Sequence, residues 1–309
     1  MEQRTLGRGG PSISVVGYGA WQAGGTEWGA NESDAHVIRS IHAALDAGMN
    51  WVDTAEVYGA GRSEELVGRA LAGRRESAFV FTKVAPDEEG TGLRPDEVRR
   101  AIRGSLARLR LDHVDLYQVH WRDDRIPIEE TWSAMAELVR DGAARFVGVS
   151  NFDLPLVDRC LAIHHVQSVQ NQLSLLRQQD LPMLPELAAR GVGFLAFSPL
   201  AKGLLSGRIT RETTFADDDW RSGKSAGDVS DPSFGVDFER NLERVERLRA
   251  VAGRIDVPLS VLAVRWVLEQ PGVTAAITGS RSAEHQRENA EAGDVTLPRS
   301  LVDELTQLA

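Results

Sequence analysis

Short apolar stretches alternate with longer amphipathic segments along nearly the whole chain. The stretches are too short for stable helices, and most of them end at a polar residue or a turn former, which is typical of buried β-strands. The predicted strands are residues 16–21, 51–53, 78–83, 114–120, 145–150, 166–170, 193–198 and 273–277.

The segments between these stretches have apolar residues at helical spacing. From Asp34 to Asp46 they fall on one face, with Asn31 or Ser33 as the candidate N-cap and Gly48 as the stop signal. Ser63 is predicted to cap the next helix. Further helices are predicted at residues 94–110, 128–141, 154–163, 182–190, 238–254, 260–269, 282–292 and 299–308.

This alternation predicts a parallel (β/α)8 TIM barrel with an N-terminal β-hairpin at residues 4–15 and extra C-terminal helices. The alternative is a doubly wound open sheet, whose first strand is typically followed by a Gly-x-Gly-x-x-Gly turn. Here Gly17-Tyr18-Gly19 lacks the third glycine. No linker divides the chain, so we predict one domain over residues 1–309. The Gly-, Ser- and Asp-rich segment 199–235 is predicted to be a functional or disordered loop.

Composition excludes several classes of protein. The net charge of -10 and the lack of a basic run argue against a nucleic-acid partner. Cys160 is the only cysteine, so no intrachain disulfide is possible. No apolar stretch approaches the ~20 residues of a membrane span, and Met1-Glu2-Gln3-Arg4 lacks the apolar core of a signal peptide. We therefore expect a cytoplasmic protein.

Three residues that can carry chemistry stand at the ends of consecutive predicted strands. Asp53, Lys83 and His120 end the second, third and fourth strands, and Tyr58 follows Asp53 in a glycine-closed loop. Adjacent strands are about 5 Å apart and barrel active sites lie at the carboxyl ends of the strands, so these side chains can meet. We call Asp53, Tyr58, Lys83 and His120 the tetrad.

The tetrad has the groups needed for the acid half of a carbonyl reduction. A lysine ammonium lowers the pKa of a nearby phenol, and Asp53 would keep Lys83 charged and oriented. Tyr58 would then protonate a developing alkoxide while His120 orients the same oxygen. No side chain supplies hydride, so a nicotinamide cofactor is implied. Any one of these residues alone is more often a cap, a packed aromatic, a solvated charge or a satisfied polar group; together they favour the functional interpretation.

The segments around the tetrad resemble those of a known family. Residues 53–59 (Asp-Thr-Ala-Glu-Val-Tyr-Gly) are similar to the Asp…Tyr segment of the aldo-keto reductases, and Lys83 and His120 match the rest of that family's tetrad. Residues 63–68 are similar to the helix after the tyrosine, residues 148–152 to the segment that holds the nicotinamide carboxamide, and residues 197–207 to the segment after the seventh strand. The match covers essentially the whole chain, and the chain resembles the bacterial, channel-subunit-like branch of the family.

The resemblance implies an NADP-dependent oxidoreductase that reduces aldehydes or ketones to alcohols, with Tyr58 as general acid. NADPH is favoured over NADH. Many relatives have lysine at Gly279 and arginine or glutamine at His285, so Arg281 is the remaining cation for the 2′-phosphate. Trp21 and Trp121 would contact substrate, with Trp28 also at the mouth. The implied cofactor-binding residues are Gly19, Ala20, Trp21, Ser150, Asn151, Gln170, Phe197, Ser198, Leu200, Lys202, Gly279, Arg281 and Asn289.

Two other functions remain open from the sequence. One is a nicotinamide-binding regulatory subunit of the channel β-subunit kind, which keeps the tetrad but turns over little. The other is a Schiff-base aldolase with Lys83 as nucleophile, which would require a neutral lysine. The reductase interpretation implies a small aldehyde or ketone substrate and a monomer; the substrate itself is not predicted.

Overall fold

The computed structural model describes residues 1–25, 28–29, 32–86, 92–222 and 233–309. Eight parallel strands form a closed barrel in chain order, and the last strand pairs with the first through Ala276↔Val16 and Ile277↔Gly17. The predicted TIM barrel is confirmed. The barrel strands are β3 (Val16–Gly19), β4 (Trp51–Asp53), β5 (Phe79–Val84), β6 (Val114–Val119), β7 (Ala144–Ser150), β8 (Ser168–Gln172), β9 (Gly193–Phe197) and β10 (Val273–Thr278).

A small antiparallel hairpin precedes the barrel, as predicted. It consists of β1 (Gln3–Thr5) and β2 (Ser12–Ser14). Leu6 and Ile13 of the hairpin belong to a buried apolar cluster with Trp51, Phe81 and other strand residues. Trp51 also donates from Nε1 to the carbonyl oxygen of Ser14, at 2.8 Å. The hairpin therefore closes the amino-terminal end of the barrel and leaves the carboxyl ends of the strands as the open face.

Helices cover the outside of the barrel. A larger apolar core lies between them and the strands. Ser33 caps the first helix by accepting from the backbone N–H of His36, whereas the other candidate cap, Asn31, lies outside the described residues. The helices are α1 (Asp34–Asp46), α2 (Arg62–Ala70), α3 (Pro95–Leu109), α4 (Ile128–Arg140), α5 (Leu154–Leu161), α6 (Leu184–Ala189), α7 (Phe238–Arg254), α8 (Leu259–Leu268), α9 (Ala283–Glu291) and α10 (Arg299–Leu308).

Two local predictions around the open face are wrong. Ser63 does not cap α2, which begins one residue earlier, after Gly61 in a left-handed conformation (φ 92°). The hydroxyl of Ser63 instead donates to the carbonyl oxygen of Ala20, at 2.7 Å. The first barrel strand ends at Gly19, and Trp21 begins a short 3₁₀ helix, Trp21–Gly24. Both differences arise because the segment after β3 packs against the start of α2.

The segment after β9 contains local structure up to residue 222. A 3₁₀ turn covers Ala201–Ser206 and another covers Trp220–Ser222. Residues 223–232 of the predicted loop lie outside the described residues. No helix in the described part of the chain is long and apolar enough to cross a bilayer. The single-domain assignment for residues 1–309 stays a prediction.

Candidate active site

The tetrad comes together at the open face of the barrel. The Nζ atom of Lys83 is 2.5 Å from Oδ1 of Asp53, 2.9 Å from the carbonyl oxygen of Thr54 and 3.4 Å from the hydroxyl of Tyr58. The Lys83 side chain is 0% exposed and that of Asp53 4%. The ammonium therefore lies directly between the carboxylate and the phenol, as the sequence predicted.

The surroundings of Lys83 keep it charged. Burial by itself lowers the pKa of this amine, but the charges of Asp53 and Tyr58 and their hydrogen bonds outweigh burial and raise the pKa above its ordinary value. A Schiff-base nucleophile must lose its proton to attack a carbonyl. The ion pair with Asp53 therefore opposes the aldolase hypothesis.

His120 faces Tyr58 from the next strand end. The two rings meet edge to face, with centroids 5.6 Å apart. Burial, and next the positive charge of Lys83, hold the pKa of His120 well below 6.5, so the imidazole is neutral near neutral pH. Nδ1 of His120 is buried and has no hydrogen-bond partner among the described residues. The same side chain lines a cavity that opens above the tetrad. A neutral imidazole can donate one hydrogen bond to an oxygen in that cavity.

The second oxygen of Asp53 connects the tetrad to three residues predicted to bind the carboxamide. Gln170 donates from Nε2 to Oδ2 of Asp53, at 2.8 Å. The backbone oxygen of Gln170 accepts from the hydroxyl of Ser150, at 2.8 Å. Asn151, in a left-handed conformation, donates from Nδ2 to the carbonyl oxygen of His120, at 2.9 Å. Ser150, Asn151 and Gln170 thus form one hydrogen-bonded layer with the tetrad.

Gln118 is a further partner of Asp53 that the sequence analysis missed. Its Nε2 lies 3.3 Å from Oδ2 of Asp53. The signal for it was present, because side chains alternate along a strand and Gln118 is two residues before His120. An amide on the same face as a predicted catalytic residue indicates a neighbour of the site.

Tyr58 is held in place by close backbone packing. Gly24 and Gly59 touch so closely that a Cβ atom on Gly59 would lie 2.0 Å from the carbonyl oxygen of Gly24. Gly59 also has a φ of 60°, which L-residues with side chains seldom adopt. The same contact brings Trp21 against Tyr58, with ring centroids 6.2 Å apart. The predicted proton donor and the predicted substrate contact are therefore neighbours.

A cavity of about 1080 Å³ opens above the tetrad. This volume lies just above the ~300–1,000 Å³ range of ligand pockets, so the cavity suits a large ligand or two ligands side by side. Trp121 and nearly all the predicted cofactor residues line it: Gly19, Ala20, Trp21, Ser150, Asn151, Gln170, Phe197, Ser198, Leu200, Lys202, Gly279 and Asn289. Asp53, Tyr58 and His120 line it too, while Lys83 lies beneath.

Arg281 is the predicted cofactor residue that is not among those lining the cavity. Its Nη2 donates to the carbonyl oxygen of Trp28, at 3.0 Å. Arg208, which the sequence analysis did not select, does line the cavity, and its Nη2 is 3.2 Å from Oε2 of Glu288. Arg208 comes from the loop after β9 and Glu288 from α9, so only the tertiary fold brings them together.

The loop after β9 has an unusual backbone where it borders the cavity. Ser198, Ala201 and Lys202 all have positive φ angles (53°, 45° and 55°), and Gly203 follows with φ 108°. Left-handed conformations of residues other than glycine are strained and concentrate at functional sites. The strain indicates that this loop is shaped for a ligand rather than for the simplest connection to the next helix.

The mouth of the cavity is aromatic. Trp21 is near both Trp28 and Trp220, with centroids 4.8 and 6.2 Å away. Trp121 is 40% exposed and lies against His120 at a centroid distance of 4.2 Å. Large flat apolar surfaces beside a polar tetrad suit an organic substrate that carries one polar reacting group.

The fold and the site together define a class: a TIM-barrel enzyme with a Tyr–Lys–His–Asp site below a ligand-sized cavity. The model of the "Aldo/keto reductase family" matches residues 15–309 of this chain. The chain therefore belongs to the aldo-keto reductases, as the sequence resemblance implied.

Individual relatives agree. The chain is 37% identical over 290 residues to "Aldo-keto reductase YhdN" of Bacillus subtilis, covering 91% of this chain and 85% of that protein. The structure of the glycerol dehydrogenase AKR11B4 from Gluconobacter oxydans matches with a TM-score of 0.84 and 35% identity, covering 98% and 94% of the two chains. An aldo/keto reductase from Klebsiella pneumoniae, solved with NADP and acetate, matches with a TM-score of 0.78 and 28% identity, covering 100% and 95%. Curated relatives also include plant proteins described as probable voltage-gated potassium channel β subunits.

Proposed function

We propose that this protein reduces aldehydes or ketones to alcohols with NADPH, and that Tyr58 is the general acid. The observation that carries this proposal is the contact of Lys83 Nζ with both Asp53 Oδ1 (2.5 Å) and the Tyr58 hydroxyl (3.4 Å) at the edge of the cavity. A positively charged amine at this place stabilises the phenolate that remains after the phenol gives up its proton. In the reverse direction the same phenolate accepts the proton of an alcohol.

Each member of the tetrad has a distinct role. Tyr58 protonates the carbonyl oxygen as its charge develops. His120, neutral because burial and Lys83 lower its pKa, donates a hydrogen bond to that oxygen without competing as an acid. Lys83 supports the phenol, and Asp53 holds Lys83 charged and in place. Gln170 and Gln118 in turn fix the second oxygen of Asp53.

The lining of the cavity suits a nicotinamide dinucleotide. Amide groups of Asn151 and Gln170 lie beside the tetrad, where the nicotinamide ring would bind. The cationic side chains of Lys202 and Arg208 come from the loop after β9, where phosphate groups would bind. When bound, the cofactor supplies the hydride that no side chain can provide. The Klebsiella pneumoniae relative, solved with NADP, supports NADPH as the cofactor.

The remaining cofactor assignments follow the same arrangement. Phe197 would stack on the nicotinamide, and Arg281 stays a candidate for the 2′-phosphate although it does not line the cavity. Other residues proposed for the cofactor are Gly19, Ala20, Trp21, Ser150, Ser198, Leu200, Gly279 and Asn289.

The second candidate is a nicotinamide-binding regulator with little turnover. The channel β subunits among the curated relatives favour it, because they share this chain's family. The two functions differ in turnover rather than in cofactor binding. A protein that binds NADPH tightly but consumes none with any carbonyl compound would be the regulator.

A cofactor titration followed by a carbonyl panel tests the proposal. Quenching of tryptophan fluorescence gives the Kd for NADPH and for NADH, and loss of NADPH absorbance gives turnover with aliphatic, aromatic and sugar-derived aldehydes and ketones. We expect tighter binding of NADPH than NADH and turnover with at least one carbonyl class. Tight binding with no turnover across the panel would refute the reductase function and favour the regulatory one. No binding of either cofactor would refute both functions.

A further inference from the structure

An ionic cluster of one fully buried and two partly buried side chains connects the loop that carries Tyr58 with helices α2 and α3, and none of its members lines the cavity. It consists of Arg108 on α3, Glu64 on α2 and Glu56 in the loop between Asp53 and Tyr58; we call these residues the Arg108 cluster. Arg108 donates from Nε to Oε2 of Glu64, at 2.6 Å, and its Nη2 is 3.9 Å from Oε2 of Glu56. The Glu64 side chain is 0% exposed, and the guanidinium of Arg108 offsets the cost of burying its carboxylate.

Both carboxylates of the Arg108 cluster hold the strand that carries Lys83. Glu64 accepts through Oε1 from the hydroxyl of Thr82, the residue before Lys83, at 2.6 Å. Glu56 accepts through Oε1 from the backbone N–H of Ala85, two residues after Lys83, at 2.9 Å. Lys83 is thus flanked on both sides by hydrogen bonds to carboxylates that share a single arginine.

The Arg108 side chain also supports the Tyr58 loop from below. A Cβ atom added to Gly61 would lie 2.5 Å from Cδ of Arg108, so the backbone between Tyr58 and α2 rests on the arginine stem. Removing this side chain would leave a gap under the loop and two carboxylates without their cation. The loop and the strand end would then be free to shift relative to each other.

That relative position matters for the proposed chemistry. Lys83 Nζ and the Tyr58 hydroxyl are 3.4 Å apart, which is already a long hydrogen bond. A displacement of about 1 Å in a reacting geometry can cost on the order of 100-fold in rate.

We propose that Arg108 is a positioning residue for the reduction, which sets the separation of Tyr58 and Lys83 through Glu64 and Glu56. The proposal rests on the proposed function. It assigns to the Arg108 cluster a kinetic role that a purely stabilising ion pair on the outside of the barrel does not have.

The central variant is Arg108→Met, which keeps most of the side-chain length and removes the charge. Its matched control is Arg99→Met on the same helix, because Arg99 pairs with Glu137 and Asp96 outside the site. We expect Arg108→Met to lower kcat by roughly 10- to 100-fold and to leave the Kd for NADPH unchanged, whereas Arg99→Met leaves kcat unchanged. Arg108→Lys should recover part of kcat, because it restores the charge but not the fork of the guanidinium.

A second variant covers the case in which Arg108→Met does not fold. Glu64→Gln keeps the shape of the side chain and an acceptor for Thr82 but removes the charge that Arg108 neutralises. A folded Glu64→Gln or Arg108→Met protein with wild-type kcat would overturn the proposal. An equal fall of kcat in the Arg99→Met control would also overturn it, since the effect would then be general to the helix.

Tyrosine ionisation provides a readout that does not depend on turnover. The chain has three tyrosines, and burial raises the pKa of Tyr18 to about 12 and that of Tyr117 well above its usual range. In an ultraviolet difference titration, the ionisation step of Tyr58 is identified as the step that the Tyr58→Phe variant lacks. If the wild type reduces no carbonyl compound, the proposed function fails while this titration still tests the positioning. Arg108→Met should shift the midpoint of the step, and an unchanged midpoint in a folded variant would refute the role of Arg108.

Discussion

Removal of the Lys83 ammonium should destabilise the protein and inactivate it through separate effects. Asp53 is 3% exposed and accepts hydrogen bonds from Gln170 and Gln118, and the Lys83→Met substitution removes the cation beside its carboxylate. Breaking a buried ion pair by removing one partner costs about 3–5 kcal/mol. We therefore expect the free energy of unfolding in urea to fall by about that amount at neutral pH.

A double variant separates the charge effect from the loss of packing. In Asp53→Asn/Lys83→Met neither charge remains, while the asparagine keeps an acceptor for Gln170. Its stability should exceed that of Lys83→Met, with a coupling energy of roughly 2 kcal/mol between the two sites. Activity should stay lost in both proteins, because neither has an ammonium beside Tyr58.

The matched control is Arg159→Met, which breaks a surface pair. Arg159 and Glu129 are 49% and 45% exposed, and such pairs contribute less than about 1 kcal/mol. If Lys83→Met lost no more stability than this control, the buried ion pair would not have the energetic weight that its geometry implies. If the two substitutions in the double variant were additive, the proposed pairing of charges would be refuted.

Three further predictions concern other parts of the site. His120→Gln should flatten the pH dependence of stability. Burial and Lys83 lower the pKa of His120 in the folded state, so the unfolded chain binds more protons than the folded protein below about pH 6.5. The stability of the wild type should therefore fall there as the pH is lowered, by at most about 1.4 kcal/mol per pH unit. Urea unfolding between pH 5 and 8 checks this, and equal slopes in variant and wild type would contradict it. Gly59→Ala should lower both kcat and Tm, because its Cβ would lie 2.0 Å from the carbonyl oxygen of Gly24. Gly73→Ala should lower Tm alone, because φ is also positive there but no atom of the described residues lies within 4 Å of the added Cβ. Trp121→Ala should raise KM for aromatic carbonyls by roughly 5- to 10-fold, about the worth of one aromatic contact, with NADPH affinity as the unchanged control.

The sequence predicted the architecture because most barrel strands are short, mainly apolar stretches that end at polar residues or turn formers. The helical spacing of apolar residues predicted the helices equally well, and α7 and α10 have the predicted bounds, 238–254 and 299–308. Errors occurred where tertiary contacts decide the local structure. Serine is a favoured helix-capping residue, but the hydroxyl of Ser63 donates a hydrogen bond to the carbonyl oxygen of Ala20 in the preceding βα loop.

The tetrad could be predicted because Asp53, Lys83 and His120 occupy equivalent places at the ends of consecutive strands, and Tyr58 follows in the loop after the first of them. The support around it could not be predicted in the same way. Arg108 is one of several arginines on α3, and nothing in its sequence neighbourhood distinguishes it from Arg99. Arg208 and Glu288 meet only after the loop behind β9 folds over the cavity. Contacts between residues distant in sequence, rather than local pattern, determine which of these charges belong to the site.

The most direct test of the account is the rate of hydride transfer in the Tyr58→Phe variant. A single-turnover measurement mixes NADPH-loaded enzyme with an aldehyde and follows the loss of NADPH fluorescence, so cofactor binding and the reduction are observed separately. Tyr117→Phe is the matched control, since Tyr117 is buried on β6 and is not among the residues that line the cavity. The account predicts that Tyr58→Phe binds NADPH with unchanged Kd but transfers hydride roughly 100- to 10,000-fold more slowly, while Tyr117→Phe keeps the wild-type rate. Transfer at the wild-type rate in Tyr58→Phe would contradict the central claim that this phenol supplies the proton.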